Sequence, residues 1–313
     1  MLKSLEAYAI VALAEGFCGA VPLSVSEGGV PGELGQPLST SALLQEAVKI
    51  FDEALAANPN SNLAKVGKGR ALLNDGQFAA AAAAVASVPT TFIHFIEHSA
   101  NSGRQNNPLF SLQANGRYSL SNREGTNGLT FRTSQDPRVP WVQDPRGGFD
   151  NSIPLFIDQR YPSFGADVVL ADGIEARLIE AEAALRSGDT NTWLTKLNDL
   201  RANVRTLMTA RYEGYTTRTQ ANNALQPLTD PGTPAARVDL MFSERAFWLL
   251  DTGHRLGDLR RLIRQYNRTQ DTVFPSGPYH KGGVYGSDVN FPIPFNETQN
   301  PNFSLDQCNT QQA

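Results

Sequence analysis

Between residues 136 and 161 the sequence gathers Asp136, Asp144, Asp150 and Asp158 beside Trp141, Phe149, Asn151, Arg160 and Tyr161. A suitably separated pair of carboxylates is the equipment of glycoside hydrolysis. Aromatic faces flanked by polar side chains suit the other thing done with a sugar, which is to hold its apolar ring face and its hydroxyls without breaking a bond. Local composition weighs on the choice. The stretch SQDPRVPWVQDPRGGFDNSIPLFIDQRYPSF carries five prolines, and Asp in Pro- and Gly-rich sequence characteristically caps turns and accepts from backbone amides. The residues therefore favour binding, with Trp141, Tyr161, Arg160, Phe149 and Asp158 as candidate ligand contacts and no catalytic residue assigned. Taken singly, each of these five is more often a residue that packs a loop than one that touches ligand, and the group is read as a site because function concentrates on loops.

Other chemistries lack their signatures. There is no GxSxG turn, Cys-His nucleophile pattern, zinc spacing, phosphate loop or dinucleotide fingerprint. His94 and His98 stand four apart on TFIHFIEHSA, a spacing that can hold a metal, but no Glu completes an HExxH pattern, so they read as ordinary surface histidines. The two cysteines, Cys18 and Cys308, pair in an oxidising compartment and stay as buried thiols otherwise; the sequence leaves both open. With 27 basic and 31 acidic residues spread along the chain and a formal charge of -4, no concentrated basic face for nucleic acid is expected.

The elements that must position the loop are helical. A chain of 313 residues with 41% hydrophobic content can bury roughly three quarters of its unfolded surface. Met1 to Phe17 reads as a widely buried helix with Leu5, Ala9, Ala12 and Leu13 along one flank and Leu2, Ile10, Ala14 and Phe17 widening it, too short and charged to span a bilayer. Ser24 to Thr40 is a polar connector, and Ser39 to Ala57 a helix with Leu43, Ala47, Ile50, Phe51, Ala54 and Leu55 inward. AKVGKGRALLNDGQFAAAAAAV predicts two close helices joined at Asp75-Gly76 and resembles a tetratricopeptide unit; a second copy starts at Ala171, with Gly188 in the position of Gly76. Such pairs must stack to bury their faces. Residues 90 to 170 show little helical period, Asn222 to Pro231 is a shorter polar insertion, and Thr269 to Tyr285 is another loop rich in Pro, Gly and aromatics. In Thr233 to Tyr266, Thr233 caps one helix with Pro234 in its first turn, Gly253 closes it, and a second helix follows from about Arg255. Glu244, Arg245, Asp251, His254, Arg255, Asp258, Arg260 and Arg261 are interleaved with the apolar positions of both helices, so several must be paired or lie at the core's edge, and these charges are expected to lock helices together.

The run SERAFWLLDTGHRLGDLRR, Ser243 to Arg261, resembles the C-terminal signature of the SusD/RagB family, and FPIPFNETQNPNF, Phe291 to Phe303, its closing segment. Asp251 with Thr252 departs from relatives that have Glu directly before the Gly. The Ala181-Glu182-Ala183 and Leu197-Asn198-Asp199-Leu200-Arg201 helices resemble the family as well, so the likeness spans nearly the whole chain.

The fold expected is all-α, with tetratricopeptide-like helix pairs, long irregular loops and a small hairpin, in a single domain over residues 1–313: helical to 89, irregular from 90 to 170, helical from 171 to 266, extended beyond. The resemblance implies a nutrient-binding protein on the outward face of a bacterial outer membrane. It would deliver a ligand, usually an oligosaccharide, to a TonB-dependent (SusC-like) transporter, with no bond broken and no cofactor. It further implies a secretory signal and a lipid-bearing cysteine upstream of an N-terminally shortened chain, and, through maturation outside the cytoplasm, a disulfide between Cys18 and Cys308. The rival readings are a helical glycoside hydrolase and a tetratricopeptide scaffold for peptides.

Overall fold

The computed structural model describes residues 1–24, 32–213, 215 and 224–313. Parts of the 24–40 connector, and Asn222 and Asn223 of the 222–231 insertion, lie outside the described residues. In chain order the helices are α1 (Leu2–Gly16), α2 (Thr40–Ala57), α3 (Asn62–Asn74), α4 (Phe78–Val85), α5 (Pro108–Ala114), α6 (Gly173–Ser187), α7 (Thr190–Ala202), α8 (Val204–Arg211), α9 (Pro234–Trp248), α10 (Arg255–Tyr266) and α11 (Gln270–Val273). The strands are β1 (Val21–Pro22), β2 (Pro37–Leu38), β3 (Ile93–Ile96), β4 (Trp141–Asp144), β5 (Leu155–Asp158) and β6 (Val168–Asp172), paired antiparallel as β1 with β2, β3 with β6 and β4 with β5. The architecture is mainly helical with short hairpin-like sheets. Among the described residues no helix is long and apolar enough to cross a membrane.

The chain forms two compact units. The first holds Met1–Val88, Gly253–Phe274 and Gly286–Ala313. Here α1 packs on α2 and α3, and α3 on α4. Ser39 caps α2 by accepting from Ala42 N at 3.2 Å, and the inward residues of α2 are those expected, except that Leu44 is buried and Leu55 only half so. The face of α1 is only partly the one expected: Ile10 and Ala14 are buried, but the Leu5 flank is not. Ser4, Ala7, Tyr8, Ile10, Val11, Ala14 and Glu15 are buried, while Leu5, Ala9 and Ala12 are exposed. The reason is a polar anchor inside the core. Glu15 accepts from Arg70 Nε and Asn74 Nδ2, both at 2.8 Å, and Tyr8 donates to the Leu63 carbonyl, so the helix turns its paired polar groups inward. From α10, Arg260 Nη1 donates to the carbonyls of Ala14 and Glu15 at 2.8 Å each, closing the end of α1 where carbonyls are left over and cations are favoured. Beyond that end, Phe291 N donates to Gly16 O and Cys18 N to Phe291 O, and Cys18 and Cys308 are joined by a disulfide, their Cα atoms 5.3 Å apart. Asn300, of the closing Asn-Pro, is buried and donates to Gly35 O.

The second unit holds Pro89–Thr252 and Pro275–Tyr285. The α6/α7 pair is built like α3/α4: Gly76 and Gly188 end the first helix of each with φ of +80° and +84°, the left-handed turn that glycine adopts without strain. Asp172 and Asp189 cap α6 and α7. Trp193, Leu197 and Leu200 line α7, and Val204 opens α8 after a break at Asn203. Thr233 caps α9 by accepting from Ala236 N at 3.3 Å with Pro234 in the first turn. α9 ends at Trp248 rather than at Gly253; Leu249 to Thr252 make a turn of their own, in which Thr252 Oγ1 donates to Leu249 O at 2.7 Å. The charges of the 244–261 run are paired within each unit: Glu244 binds Arg138 and Arg201 in the second, Asp258 binds Arg261 in the first.

Candidate functional site

The irregular segment between β3 and β6 is ordered by a device written three times: Asp136-Pro137-Arg138, Asp144-Pro145-Arg146 and Asp158-Gln159-Arg160. In each, an aspartate oxygen accepts from the backbone N of the arginine two residues on, at 2.9, 2.8 and 2.9 Å, and from its Nε at 2.9, 3.0 and 3.0 Å. Side-chain oxygens of Asp close such turns readily, and Pro at the middle position fixes φ in advance. All three arginines reach further. Arg138 donates Nη1 to Glu244 of α9 at 2.7 Å, and Arg160 donates Nη1 to Leu250 O at 2.8 Å. The third, exposed Arg146, donates to Ala114 O at the end of α5. The hairpin β4–β5 is thereby clipped at both ends: β4 lies between the first two turns and β5 runs into the third.

This geometry divides the five expected contacts. Asp158, Arg160 and Tyr161 are buried and engaged with one another and with the end of α9: Arg160 pairs with Asp158 and, at 3.2 Å, with Asp251, and Tyr161 donates to Asp251 O at 3.4 Å. Burial pulls the Arg160 guanidinium down, and the Asp158 charge more than restores it, holding it well above the ordinary arginine range. Trp141 and Phe149 remain toward solvent. Trp141 is half-buried, its Nε1 donating to Arg132 O at 3.1 Å and its ring meeting Phe156 edge to face at 5.6 Å. Phe149 is 64% exposed, with the Arg117 guanidinium 3.9 Å from its ring centre. Behind Trp141 lies an apolar cluster of Leu120, Phe131, Val139, Ala246, Phe247 and Leu250, which holds the indole from one side.

Residues outside the expected set complete the surface. Arg132 sits 3.4 Å from the centre of the Phe156 ring, and burial lowers the pKa of its guanidinium. Lys281 binds Asp150 at 2.5 Å beside Phe149, drawing in the Tyr279 loop; Lys281 and Ser152 hold the Asp150 carboxyl well below the usual range. The PYHKGGVY loop announced itself by its glycines and aromatics, whereas Arg117 and Arg132 carry no local signal. The four middle aspartates are all occupied by turns and ion pairs. Among the described residues no group of three or more His, Cys, Asp and Glu is placed to hold a metal ion.

No family model and no curated protein matches the sequence. Solved structures match the fold. A SusD-like carbohydrate binding protein from Bacteroides vulgatus shares 17% identity at a TM-score of 0.55, with 82% of this chain and 61% of that one covered. Surface glycan-binding protein A from Bacteroides uniformis shares 13% at 0.60, with 96% and 76% covered. A SusD-like carbohydrate binding protein from Bacteroides fragilis shares 16% at 0.59, with 96% and 78% covered. The fold is the SusD-like one, and the chain spans 61% of the length of the first of these structures.

Proposed function

We propose that the protein binds a glycan at the outer face of a bacterial outer membrane and passes it, unaltered, to a TonB-dependent transporter of the SusC-like kind, held at the membrane by a lipid anchor. The observation that carries the reading is the SusD-like fold, shared with proteins described as carbohydrate- and glycan-binding. The chemistry of the clipped loop supports it. Trp141 and Phe149 keep part of their ring surface in solvent, Arg117 and Arg132 bring donors beside them, and turns that are already closed lose little entropy when a ligand settles. The sugar would stack on the aromatic faces, and specificity would come from the polar rim. Asp158, Arg160 and Tyr161 serve this surface by fixing the hairpin to the end of α9.

Isothermal titration against a panel of oligosaccharides tests it, with product analysis alongside. At least one chain is expected to bind, and Trp141→Ala or Phe149→Ala to weaken it about tenfold, the equivalent of about 1.4 kcal/mol. Tight binding that survives both substitutions would move the site off this loop, and shortened sugar products would overturn the reading of delivery without conversion.

A further inference from the structure

The charges around the Trp141 and Phe149 surface are uneven. Residues 115 to 164 carry six arginines against five carboxylates, in a chain whose formal charge is -4. Four of the carboxylates are paired: Asp136 with Arg138, Asp144 with Arg146, Asp158 with Arg160 and Asp150 with Lys281. The fifth, Glu124, stands beside Arg123, both exposed. That leaves Arg117 and Arg132, and among the described residues neither has a carboxylate within ion-pair distance or any hydrogen bond from its guanidinium. Each lies on a ring instead. Arg117, exposed, sits 3.9 Å from the centre of Phe149, and Arg132, half-buried, 3.4 Å from that of Phe156 and 5.9 Å from that of Trp141. A ring face steadies a guanidinium but leaves its charge uncancelled.

Arg132 shows what is missing. Its Nε is enclosed without a partner, while Nη1 and Nη2 stay open to solvent, so the end of the fork is what a ligand can reach. Burial lowers its pKa with no carboxylate to restore it; Arg138, which burial also pulls down, is brought above its ordinary value by Glu244 and Asp136. A neutral hydroxyl would accept from the open nitrogens and leave the charge unmet. An ammonium sugar would be repelled. A carboxylate or a sulfate ester does both, taking parallel bonds from the fork and supplying the counter-charge. We propose that the surface takes an acidic glycan, with sugar-borne anionic groups held by Arg117 and Arg132 while ring faces meet Trp141 and Phe149. The proposal rests on the glycan-binding reading and narrows it to a class.

The test is isothermal titration of the full chain with tetragalacturonate, its neutral methyl ester, a carrageenan tetrasaccharide that carries sulfate alone, and maltotetraose. Tetragalacturonate or the sulfated tetrasaccharide is expected to bind about tenfold more tightly than either neutral one, and to weaken as salt rises from about 0.05 to about 0.5 M. Which of the two binds identifies the anion. Arg117→Gln, at an exposed position, and Arg132→Gln should each weaken that binding about tenfold. Arg132→Lys keeps the charge and loses the fork, so it should recover part of the loss, and it reads the same contact if Arg132→Gln disturbs the packing on Phe156. Neutral tetrasaccharides that bind as tightly as acidic ones, or acidic binding that both substitutions to Gln leave unchanged, would overturn this proposal and leave the glycan-binding reading standing. Acidic binding that Trp141→Ala and Phe149→Ala leave intact would overturn the placing on these rings in both readings, and no binding of any oligosaccharide would sink both.

Discussion

Asp251 shows how much a single carboxyl can ask of its surroundings. Burial pushes its pKa up to about 7 and the Asp158 charge adds to that, while Arg160 and the Tyr118 hydroxyl, which donates to both its oxygens at 2.9 and 3.0 Å, pull the other way. In the unfolded chain the same group titrates near 4. The folded state thus holds the proton more tightly, so the contribution of Asp251 to stability is fully present below about pH 4 and is lost as pH rises through about 7. Urea unfolding between pH 4 and 8 should show this loss, and Asp251→Asn, which suits the φ of +56° found there, should flatten it. An unchanged slope in the variant would assign the pH dependence elsewhere. Glu244 is a buried carboxylate with two arginines, Arg138 at 2.7 Å and Arg201 at 2.6 Å. Glu244→Ala leaves Arg138 with Asp136 alone and Arg201 with the Gln226 carbonyl, each short of a buried counter-charge, and should cost roughly 2–4 kcal/mol in urea unfolding; a loss below about 1 kcal/mol would show that the remaining partners suffice. That Glu244 and Asp258 must be paired was legible from charges set among apolar residues. Arg138, 106 residues upstream of Glu244, was not, because only the folded chain brings it there.

Helix boundaries were legible where caps write them, as at Ser39 and Thr233, and helix faces less so. The burial of α1 follows its paired polar groups rather than its leucines, which apolar periodicity does not detect. α5 was missed inside a polar stretch although Asn107 and Pro108 carry its start signal, with Asn107 accepting from Phe110 N at 3.0 Å. It is seven residues long, less than a period pattern needs. At the same scale, two glycines separate packing from propensity. Gly67 lies within α3 where a Cβ would overlap the Phe51 ring and stand 2.8 Å from Tyr8 Cζ. Ala is the better helix former by about 1 kcal/mol, but overpacking costs about 1–3, so Gly67→Ala should lower the melting temperature. Gly188 has open space around its missing Cβ and a φ of +84°. There Gly188→Ala should cost about 1 kcal/mol through backbone conformation alone. A stabilised Gly67→Ala would mean that the α2–α3 contact yields more easily than its geometry implies.

The chain passes between its two units four times, at residues 88, 252, 274 and 285, so neither unit is closed on a continuous segment. The 243–261 signature straddles one of these passages, α9 falling to the second unit and α10 to the first, which no local pattern could reveal. Within the first unit the disulfide joins residues 290 apart, tying the exit of α1 to the C-terminal segment. A cross-link over so long a loop removes conformational freedom from the unfolded chain and is worth about 2–4 kcal/mol in typical cases. Because interleaved segments couple the fate of the two units, we propose that the chain unfolds as one domain: calorimetry should show a single transition, and reductant or Cys308→Ser should move it down without splitting it. If the proposed surface holds a glycan, its affinity in the folded fraction should stay the same, since Trp141 and Phe149 are clipped by Asp-x-Arg turns and by α9 within their own unit. Two separate transitions, only the lower of which responds to reductant, would show instead that the units unfold independently and that the disulfide protects the first alone.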